Sequence, residues 1–544
     1  MRVASLKRVI DRVSSLLRGL QPDAYRWVAW LGVVTLLTLC VVVDDDVGIT
    51  MDEADLARYG RRILMWYSSG FHHEFDLLSN TVQAQYGGLF AALVTAANHW
   101  LPFDEYVIRH FFSSVCGVLG IIAAWKIAGL LGGQRAGLCA ALLLVFTPAW
   151  IGHALFNPKD TPFAAGVAWA VYYTLRIARG EFPPRLRDCL GYGLAAGAAL
   201  GVRPGGMFVL IYPVFALSAR LWFEHTYGAG VRSCWLQASI SVLAGLSLAW
   251  CIMLVAWPWG LFSPLFRPFR AAAIAAHFAW GGRMLFRGAY VSANALPLAY
   301  LPTWFAITLP EAYPLAIACA MPLIWIALRR PAITLHRLAV LTLLVTTAGP
   351  FSMALIARPV IYDAHRHFLF LLPLLAAGCG YAFGEFFGAL SLPKLVRNVV
   401  IVGFAALCLL TARDIALLHP YEYVYFNHSV GGLQGAATRY ETDYWGASYK
   451  EGLSWVVANL RPTRFNQPVR VATCSDLDET IYYLAHEPAL RGRFQFTRDA
   501  AKADALLSIP RDECYKRAGT VLHKVERMGV PLLYVLRPVR RKAS

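Results

Sequence analysis

The chain has 544 residues, of which 58% are hydrophobic and only 15% charged, with a mean hydropathy of +0.49. Soluble chains carry about 45–50% apolar and about 25% charged residues, so one large water-soluble core is excluded and an integral membrane protein is indicated. The net charge of +17 does not point to nucleic acid, because the basic residues fall in short clusters between apolar segments, as topology signals do.

Residues 1–26 are basic and amphipathic, with Leu6, Val9, Ile10, Val13, Leu16 and Leu17 set among Lys7, Arg8, Arg12, Arg18 and Arg26. They hold no apolar stretch of the kind a cleavable signal peptide needs. The first apolar segment runs from about Trp27 to Val43 and is stopped by Asp44-Asp45-Asp46, which reads as a solvated helix end. Roughly 20 apolar residues cross a bilayer. Eleven spans are expected, over residues 27–46, 107–131, 136–154, 161–178, 189–202, 206–222, 235–257, 303–328, 338–357, 367–388 and 396–418. Arg203-Pro204-Gly205-Gly206 divides one apolar run into two short helices that meet at a polar turn. The run Gly87–Leu101 is short for a crossing and suits a helix lying in the interface.

Basic residues orient the spans. The cluster before Trp27 places the N-terminus in the cytoplasm, and the eleven-span count puts Gln134-Arg135, Arg176/Arg179/Arg185/Arg187, Arg220/Arg232, Arg329/Arg330/Arg337 and Lys394/Arg397 on that same side. The opposite loops then carry residues 44–80, 157–160, Arg203, 257–302 and 358–367. The tail from about residue 419 lands there too. It contains an aromatic, glycine-bearing stretch (Tyr421–Tyr449), a helix signal (Tyr449–Leu460) and strand-like runs at 469–473, 505–509 and 532–536. The expected fold class is therefore a polytopic α-helical membrane protein of about 11 spans with a small extracytoplasmic α/β C-terminal domain. Its parts are a cytoplasmic 1–26, a membrane domain 27–418 with a first outer loop over 47–106, and the outer domain 419–544. Cysteines in the apolar segments, such as Cys40, Cys116 and Cys408, read as small buried hydrophobes, while spacing leaves the pairing of Cys474 with Cys514 open.

Charged groups at membrane depth are costly and usually functional. Here they gather at the outer ends of helices: Asp52-Glu53 after span one, Arg109 opening span two, Lys159-Asp160 between spans three and four, Arg203, and His365-Arg366-His367 at span ten. This mixture suits transfer of a sugar from a lipid-phosphate carrier. A carboxylate takes the proton of an acceptor hydroxyl. Arg or Lys holds the donor phosphate and stabilises charge developing on the leaving group. No Walker-type phosphate loop and no dinucleotide GxGxxG between strand and helix is present. His365, His367, His277 and His72-His73-Glu74 lack fixed ligand spacing, so the metal is left unassigned, with a divalent cation the only cofactor considered. Aromatic rings at Tyr440, Tyr444 and Trp445 either pack the tail on the membrane domain or stack on acceptor sugars.

Taken together, the order and sidedness of these features resemble the GT-C superfamily of membrane glycosyltransferases, most closely glycosyltransferase family 39, over roughly residues 25–390. The resemblance rests on Asp52-Glu53 followed by Arg58-Tyr59, an interfacial helix in the first loop, Arg109, Asp160, Leu296-Pro297-Leu298-Ala299-Tyr300-Leu301-Pro302 and Arg366-His367-Phe368-Leu369-Phe370-Leu371-Leu372-Pro373. It implies a polyprenyl-phosphate-linked sugar donor, an extracytoplasmic acceptor (protein, lipid or glycan) and inversion at the anomeric carbon. It implies Asp52 as general base, Glu53 hydrogen-bonding in the same site and Asp160 as a second catalytic carboxylate. Arg58, Tyr59, Arg109, Lys159, Arg203, Arg366 and His367 become the candidate donor-phosphate contacts. Where the family often carries Pro-Pro with a nearby Lys or His, this chain has Ala84-Gln85-Tyr86-Gly87-Gly88, so Arg203 or Lys159 is expected to compensate. The expected setting is a bacterial inner membrane with a periplasmic C-terminus, although an endoplasmic reticulum membrane gives the same topology. Rival readings are a transporter or lipid-carrier flippase, which predicts paired repeats and mid-span charges, and a non-catalytic glycan-assembly subunit.

Overall fold

The computed structural model describes residues 22–71, 83–227, 234–278, 280–329, 333–389, 393–461, 467–474, 483, 486–487 and 489–539. The amphipathic stretch before residue 22 and the His72-His73-Glu74 candidate lie outside them.

Helix α1 (Pro22–Val42) gives way to a 3-10 turn at Asp44–Asp46, because three carboxylates at a helix C-terminus oppose its dipole. The first loop then folds into α2 (Met51–Ser68) and α3 (Leu89–Trp100), which touch so closely that a Cβ on Gly60 would lie 2.4 Å from the Ala91 carbonyl oxygen. With 12 residues, α3 spans about 18 Å at 1.5 Å per residue, too short for a hydrocarbon core of about 30 Å.

Helix α4 (Glu105–Val145) is two helices joined at Gly132-Gly133, where Gly133 takes φ 76°, a left-handed value glycine adopts without strain. The chain reverses there. The second half, continued by α5 (Pro148–Phe156), runs back along the first: Gly137 abuts Trp125, the Trp150 indole donates to Gly117 O at 3.2 Å, and Ser113 donates to Asn157 O at 3.3 Å. The zigzag continues through α6 (Asp160–Arg179), α7 (Leu186–Leu200), a 3-10 turn (Pro204–Leu210) leading into α8 (Ile211–Tyr227), and α9 (Trp235–Val255). The chain thus comes back to one end of the bundle at residues 52, 110, 157–160 and 203.

A short helix α10 (Arg267–Ala276) and a hairpin of β1 (Arg283–Phe286) and β2 (Ala289–Ser292) fill the next loop. Then come α11 (Tyr300–Thr308), α12 (Ala312–Arg329), α13 (Leu335–Ala357), α14 (Leu371–Ala389) and α15 (Lys394–Leu418). Helix thus occupies all eleven predicted segments. Among the described residues five helices are long and apolar enough to cross a membrane alone, or six if α11 and the first part of α12, bent by 104°, form one span. The expected count of eleven is not carried by these criteria: α7 has only 15 residues, and α6 bears charge at both ends. In four of the five long helices only 22–39% of the apolar window is buried. That much outward-facing apolar surface needs hydrocarbon rather than water around it, and the chain is an integral multi-pass membrane protein.

The tail holds the expected helix and a strand at each of the three expected runs, with two further strands. Tyr421, Tyr423, Tyr444 and Trp445 are buried where it packs on the membrane domain. Helix α16 (Tyr449–Asn459) covers a five-stranded sheet ordered β4-β3-β5-β7-β6, made of β3 (Val469–Thr473), β4 (Phe494–Phe496), β5 (Ala505–Ser508), β6 (Gly519–Arg527) and β7 (Val530–Pro538). Strand β3 pairs parallel with β4 and β5, while β7 pairs antiparallel with β5 and β6. Cys474 and Cys514 form a disulfide in this unit.

Candidate active site at the helix ends

Five of the predicted residues meet at one end of the bundle. Asp52, in the first turn of α2, has Lys159 Nζ 3.3 Å from Oδ1 and Arg366 Nη1 3.3 Å from Oδ2. Asp160 opens α6, where a carboxylate is favoured by the helix dipole. Its Oδ1 lies 2.8 Å from Arg203 Nη2, and its Oδ2 lies 3.6 Å from Arg366 Nη1 and accepts from Asn157 Nδ2 at 3.0 Å. Asn157 also uses Oδ1 to accept from the backbone of Lys159 (3.1 Å) and Asp160 (2.8 Å), which fixes the turn that presents both side chains. Arg366 is therefore shared between two carboxylates on different helices. Asp363 is a third partner, with Oδ2 2.9 Å from Arg366 Nη2.

The aromatic setting is as specific as the charge. The Arg366 guanidinium lies 4.8 Å from the Trp445 ring centre and 4.9 Å from that of Tyr362, and Lys159 Nζ lies 4.8 Å from that of Tyr86. Tyr86 belongs to the stretch that departs from the family pattern, and it serves as a platform for Lys159. Tyr59 holds that stretch in place by donating to the Tyr86 carbonyl at 2.9 Å.

Asp52 remains 28% exposed at its side chain, whereas Asp160 and Arg366 are almost fully buried. Burial alone would raise the Asp52 carboxyl, but Lys159, Arg366 and Arg203 prevail and hold it at about 2. Burial likewise opposes the charge on Arg366, yet Asp363, Asp52 and Asp160 keep it firmly protonated. His367 has the reverse balance: burial, then Arg366, Arg203 and Lys159, push it well below the usual histidine range, so it is neutral.

Beside this cluster opens a cavity of about 840 Å³. Arg203, Tyr86, Tyr362 and His367 line its polar end, and its walls are apolar. Four wall residues, Ile211, Val214, Phe269 and Met353, are 47–65% exposed, so the cavity opens sideways at the apolar surface of the bundle. The Nε–H groups of Arg203 and Arg366 are buried and have no hydrogen-bond partner among the described residues.

Other predicted residues stand apart. Glu53 turns away: its Oε2 accepts from the backbone N–H (2.7 Å) and hydroxyl (3.0 Å) of Thr50, and its Oε1 lies 3.0 Å from His110 Nε2. It closes a capping box on α2, and the pattern Thr50-x-x-Glu53 is the sequence signal for that role. Arg58 pairs with Asp55 on the exposed side of α2, half open to solvent. Arg109 is fully buried on Glu105 (3.1 Å) and Thr95 (3.2 Å), not on the cluster. Tyr440, Tyr444 and Trp445, read as either tail packing or acceptor stacking, are at most 6% exposed and pack among other aromatics. Tyr444 O–H meets His153 Nε2 at 3.2 Å, and Trp445 forms the bed of Arg366. His277 is peripheral, bonded to its own helix through Ala273 O. Among the described residues no group of three or more His, Cys, Asp or Glu is placed to hold a metal ion. Asp363, Tyr86, Tyr362 and Asn157 escaped the sequence reading as site residues; the acidic and aromatic content of the 358–367 loop was the available hint.

Residues 88–259 match the family model described as dolichyl-phosphate-mannose-protein mannosyltransferase. None of the curated proteins matches the chain in sequence. Among solved structures, ArnT from Cupriavidus metallidurans in the apo state aligns at 16% identity over 94% of this chain and 98% of that one, with a TM-score of 0.48. The same protein bound to undecaprenyl phosphate aligns at 15% identity, over the same shares, with a TM-score of 0.47. The archaeal oligosaccharyltransferase AglB from Archaeoglobus fulgidus, in complex with an inhibitory peptide and a dolichol-phosphate, aligns at 14% identity over 84% of this chain and 63% of that one, with a TM-score of 0.48. The resemblance expected over about residues 25–390 is thus met over residues 88–259, which include Arg109 and Asp160 but neither Asp52 nor Arg366, by similarity to the dolichyl-phosphate-mannose-protein mannosyltransferases.

Proposed function

We propose that the chain is an inverting glycosyltransferase that moves a sugar from a polyprenyl-phosphate carrier to an acceptor hydroxyl, with Asp52 as general base. The observation that carries this reading is a shared-charge cluster at the polar end of an apolar cavity that opens sideways on the bundle surface. A polyprenyl chain fits such a cavity by burying apolar surface. The phosphate then sits at its polar end, within reach of Lys159, Arg203 and Arg366. The buried Nε–H donors of the two arginines supply the charge-assisted hydrogen bonds that phosphate oxygens accept. The family match over 88–259 supports the same donor class.

In the reaction, the acceptor oxygen forms a bond to the anomeric carbon while the carbon–oxygen bond to the phosphate breaks. The phosphate leaves with that electron pair, and Asp52 takes the acceptor proton. A carboxyl held at about 2 is a weak base at rest. Lys159 and Arg366 are the cause, and both are also placed to serve the phosphate. As they engage the donor their hold on Asp52 weakens, so base strength rises when the donor is in place. Asp160 anchors Arg203 and Arg366 and keeps both aimed at the leaving group. The Cys474–Cys514 disulfide favours an oxidising compartment for the tail, in accord with an extracytoplasmic acceptor and a bacterial inner-membrane setting.

The test is purified protein in lipid with a panel of polyprenyl-phosphate sugars, dolichyl-phosphate-mannose first. Consumption of a donor by wild type and its loss in Asp52→Asn are expected. Undiminished transfer by Asp52→Asn removes the proposed base, and failure of every donor to bind or react removes the enzyme reading.

A further inference from the structure

The C-terminal sheet unit reaches toward the cluster through Arg511. Arg511 sits on a 3-10 turn (Arg511–Glu513) after β5, three residues before the disulfide-bonded Cys514. Its side chain is 13% exposed, and every nitrogen of its fork is engaged. Nη2 donates to Asp363 Oδ1 at 2.9 Å, Nη1 donates to the Tyr444 carbonyl at 3.2 Å, and Nε lies 3.3 Å from Glu441 Oε1.

Two of these contacts bear on Arg366. Asp363 gives one oxygen to Arg511 and the other to Arg366. Tyr444 precedes Trp445, the ring on which Arg366 rests. The Arg511 guanidinium also lies 5.0 Å from the ring centre of Trp280, which stacks on Tyr362 at 4.7 Å and 17°, and Tyr362 is the second ring against Arg366. Arg511 thus reaches the same guanidinium by three routes, one ionic, one through backbone and one through stacked rings. The turn between them is strained: Asp363 and Ala364 both hold left-handed φ values, 56° and 61°, in succession and without glycine. Such a backbone persists only where its surroundings over-determine it. Asp363 is held between Arg511 and Arg366, so loss of Arg511 frees Asp363 to draw Arg366 away from Asp52 and Asp160.

We propose that Arg511 is a positioning residue for the transfer reaction: through Asp363 and Trp445 it fixes Arg366 against Asp52, so that the C-terminal unit is part of the active site's framework. This rests on the reading of Asp52 and Arg366 given above, and it predicts that the tail is needed for turnover more than for donor capture, since Arg511 reaches the cluster only through other residues.

The experiment uses the full chain in nanodiscs, with Arg511→Ala, Arg511→Lys, Asp363→Asn and the Arg511→Ala/Asp363→Asn double variant. Donor consumption is followed with dolichyl-phosphate-mannose, or with whichever panel member wild type consumes. Displacement of a positioned group by about 1 Å costs on the order of 100-fold in rate, so Arg511→Ala is expected to lower kcat by roughly 10- to 100-fold with donor KM changed less than about 3-fold. Arg511→Lys, which keeps the charge but not the fork, falls between Ala and wild type. The double variant is no worse than the poorer single one, since both cut the same link. Hydrogen exchange of residues 358–371 without donor is measured in parallel, and faster exchange in Arg511→Ala than in wild type is expected. Unchanged kcat in Arg511→Ala, an equal rise in KM, or multiplying losses in the double variant would overturn the assignment. If wild type consumes no donor, the glycosyltransferase reading falls instead, and the exchange arm still decides: unchanged protection of 358–371 means that Arg511 does not hold the turn. Should Arg511→Ala fail to fold, Arg511→Lys carries the same comparison, and a wild-type kcat and exchange pattern there would count against the need for the fork.

Discussion

The two ends of the helix bundle hold similar residues in different arrangements. At the end away from Asp52, the buried charges Arg220 and Asp188 are satisfied locally. Arg220 pairs with Glu224 one turn on, at 2.7 Å, and donates to the Ala178 and Gly180 carbonyls at the end of α6, at 3.1 and 2.8 Å. Arg176 and Asp188 join α6 to α7 at 3.1 Å. These are helix-end and loop contacts, and they leave nothing over. At the Asp52 end, Arg366 is divided among Asp52, Asp160 and Asp363, and two buried Nε–H groups lack partners among the described residues. Buried charge alone therefore does not mark a site. Charge that is shared across helices and incompletely satisfied, beside a cavity, does.

That contrast can be broken experimentally, beginning with the largest effect. Asp52→Asn should lower donor consumption by about 10²- to 10⁴-fold while donor binding, followed by displacement of a fluorescent polyprenyl phosphate, persists. Loss of binding together with turnover would make Asp52 structural. Arg366→Gln should destabilise the protein by about 3–5 kcal/mol in thermal unfolding, because it strips a buried cation from three carboxylates. Arg220→Gln, at the far end, should cost only about 1–3 kcal/mol and leave donor KM unchanged. Equal effects of the two would erase the distinction.

The pH response sharpens it further. The Asp52 carboxyl is depressed from 3.8 to about 2, so its contribution to stability is present above its unfolded value and lost only as pH falls through about 2. Burial and the neighbouring cations hold His367 well below the usual histidine range. kcat/KM, which reports the donor-free state, should therefore show no acid limb from these groups between about pH 5 and 7. A limb there that vanished in Asp52→Asn or His367→Gln would contradict the charge assignments. At the small end of the scale, Glu53→Gln should cost about 1 kcal/mol by weakening the α2 cap, with activity reduced no more than that loss explains. Arg58→Ala, which breaks an exposed pair one turn apart, should change stability by about 0–1 kcal/mol. A large kinetic effect of either would return that residue to the site.

Much of the site was legible because membrane chains separate apolar from charged residues so sharply. Lys159, Asp160, Arg203 and Arg366 stand at breaks between apolar runs, and a charge kept there at the cost of desolvation is conspicuous. Asp52 and Glu53 show where this reasoning ends. Neighbours on a helix point about 100° apart, so one faces the cluster and the other turns back to its own N-cap. The Thr50-x-x-Glu53 pattern carried that information, but proximity to Asp52 outweighed it. The aromatic segment at 440–445 was legible as tail packing, whereas its role as the bed of Arg366 was not.

The amino-acid sequence by itself determined the membrane class, the helical segments, three of the five strands of the tail and, besides Asp52, four of the five other clustered residues. Each of these follows from local periodicity or from the cost of charge beside hydrocarbon, both readable over a few dozen residues. Only the tertiary structure decided which charges share partners, that Tyr86 carries Lys159, and that Arg511 stands behind Arg366 from 145 positions further along the chain. The physical reason is distance along the chain. Ion pairing and ring stacking act over a few ångströms, and no local pattern records which loop a sheet domain will bring within that reach.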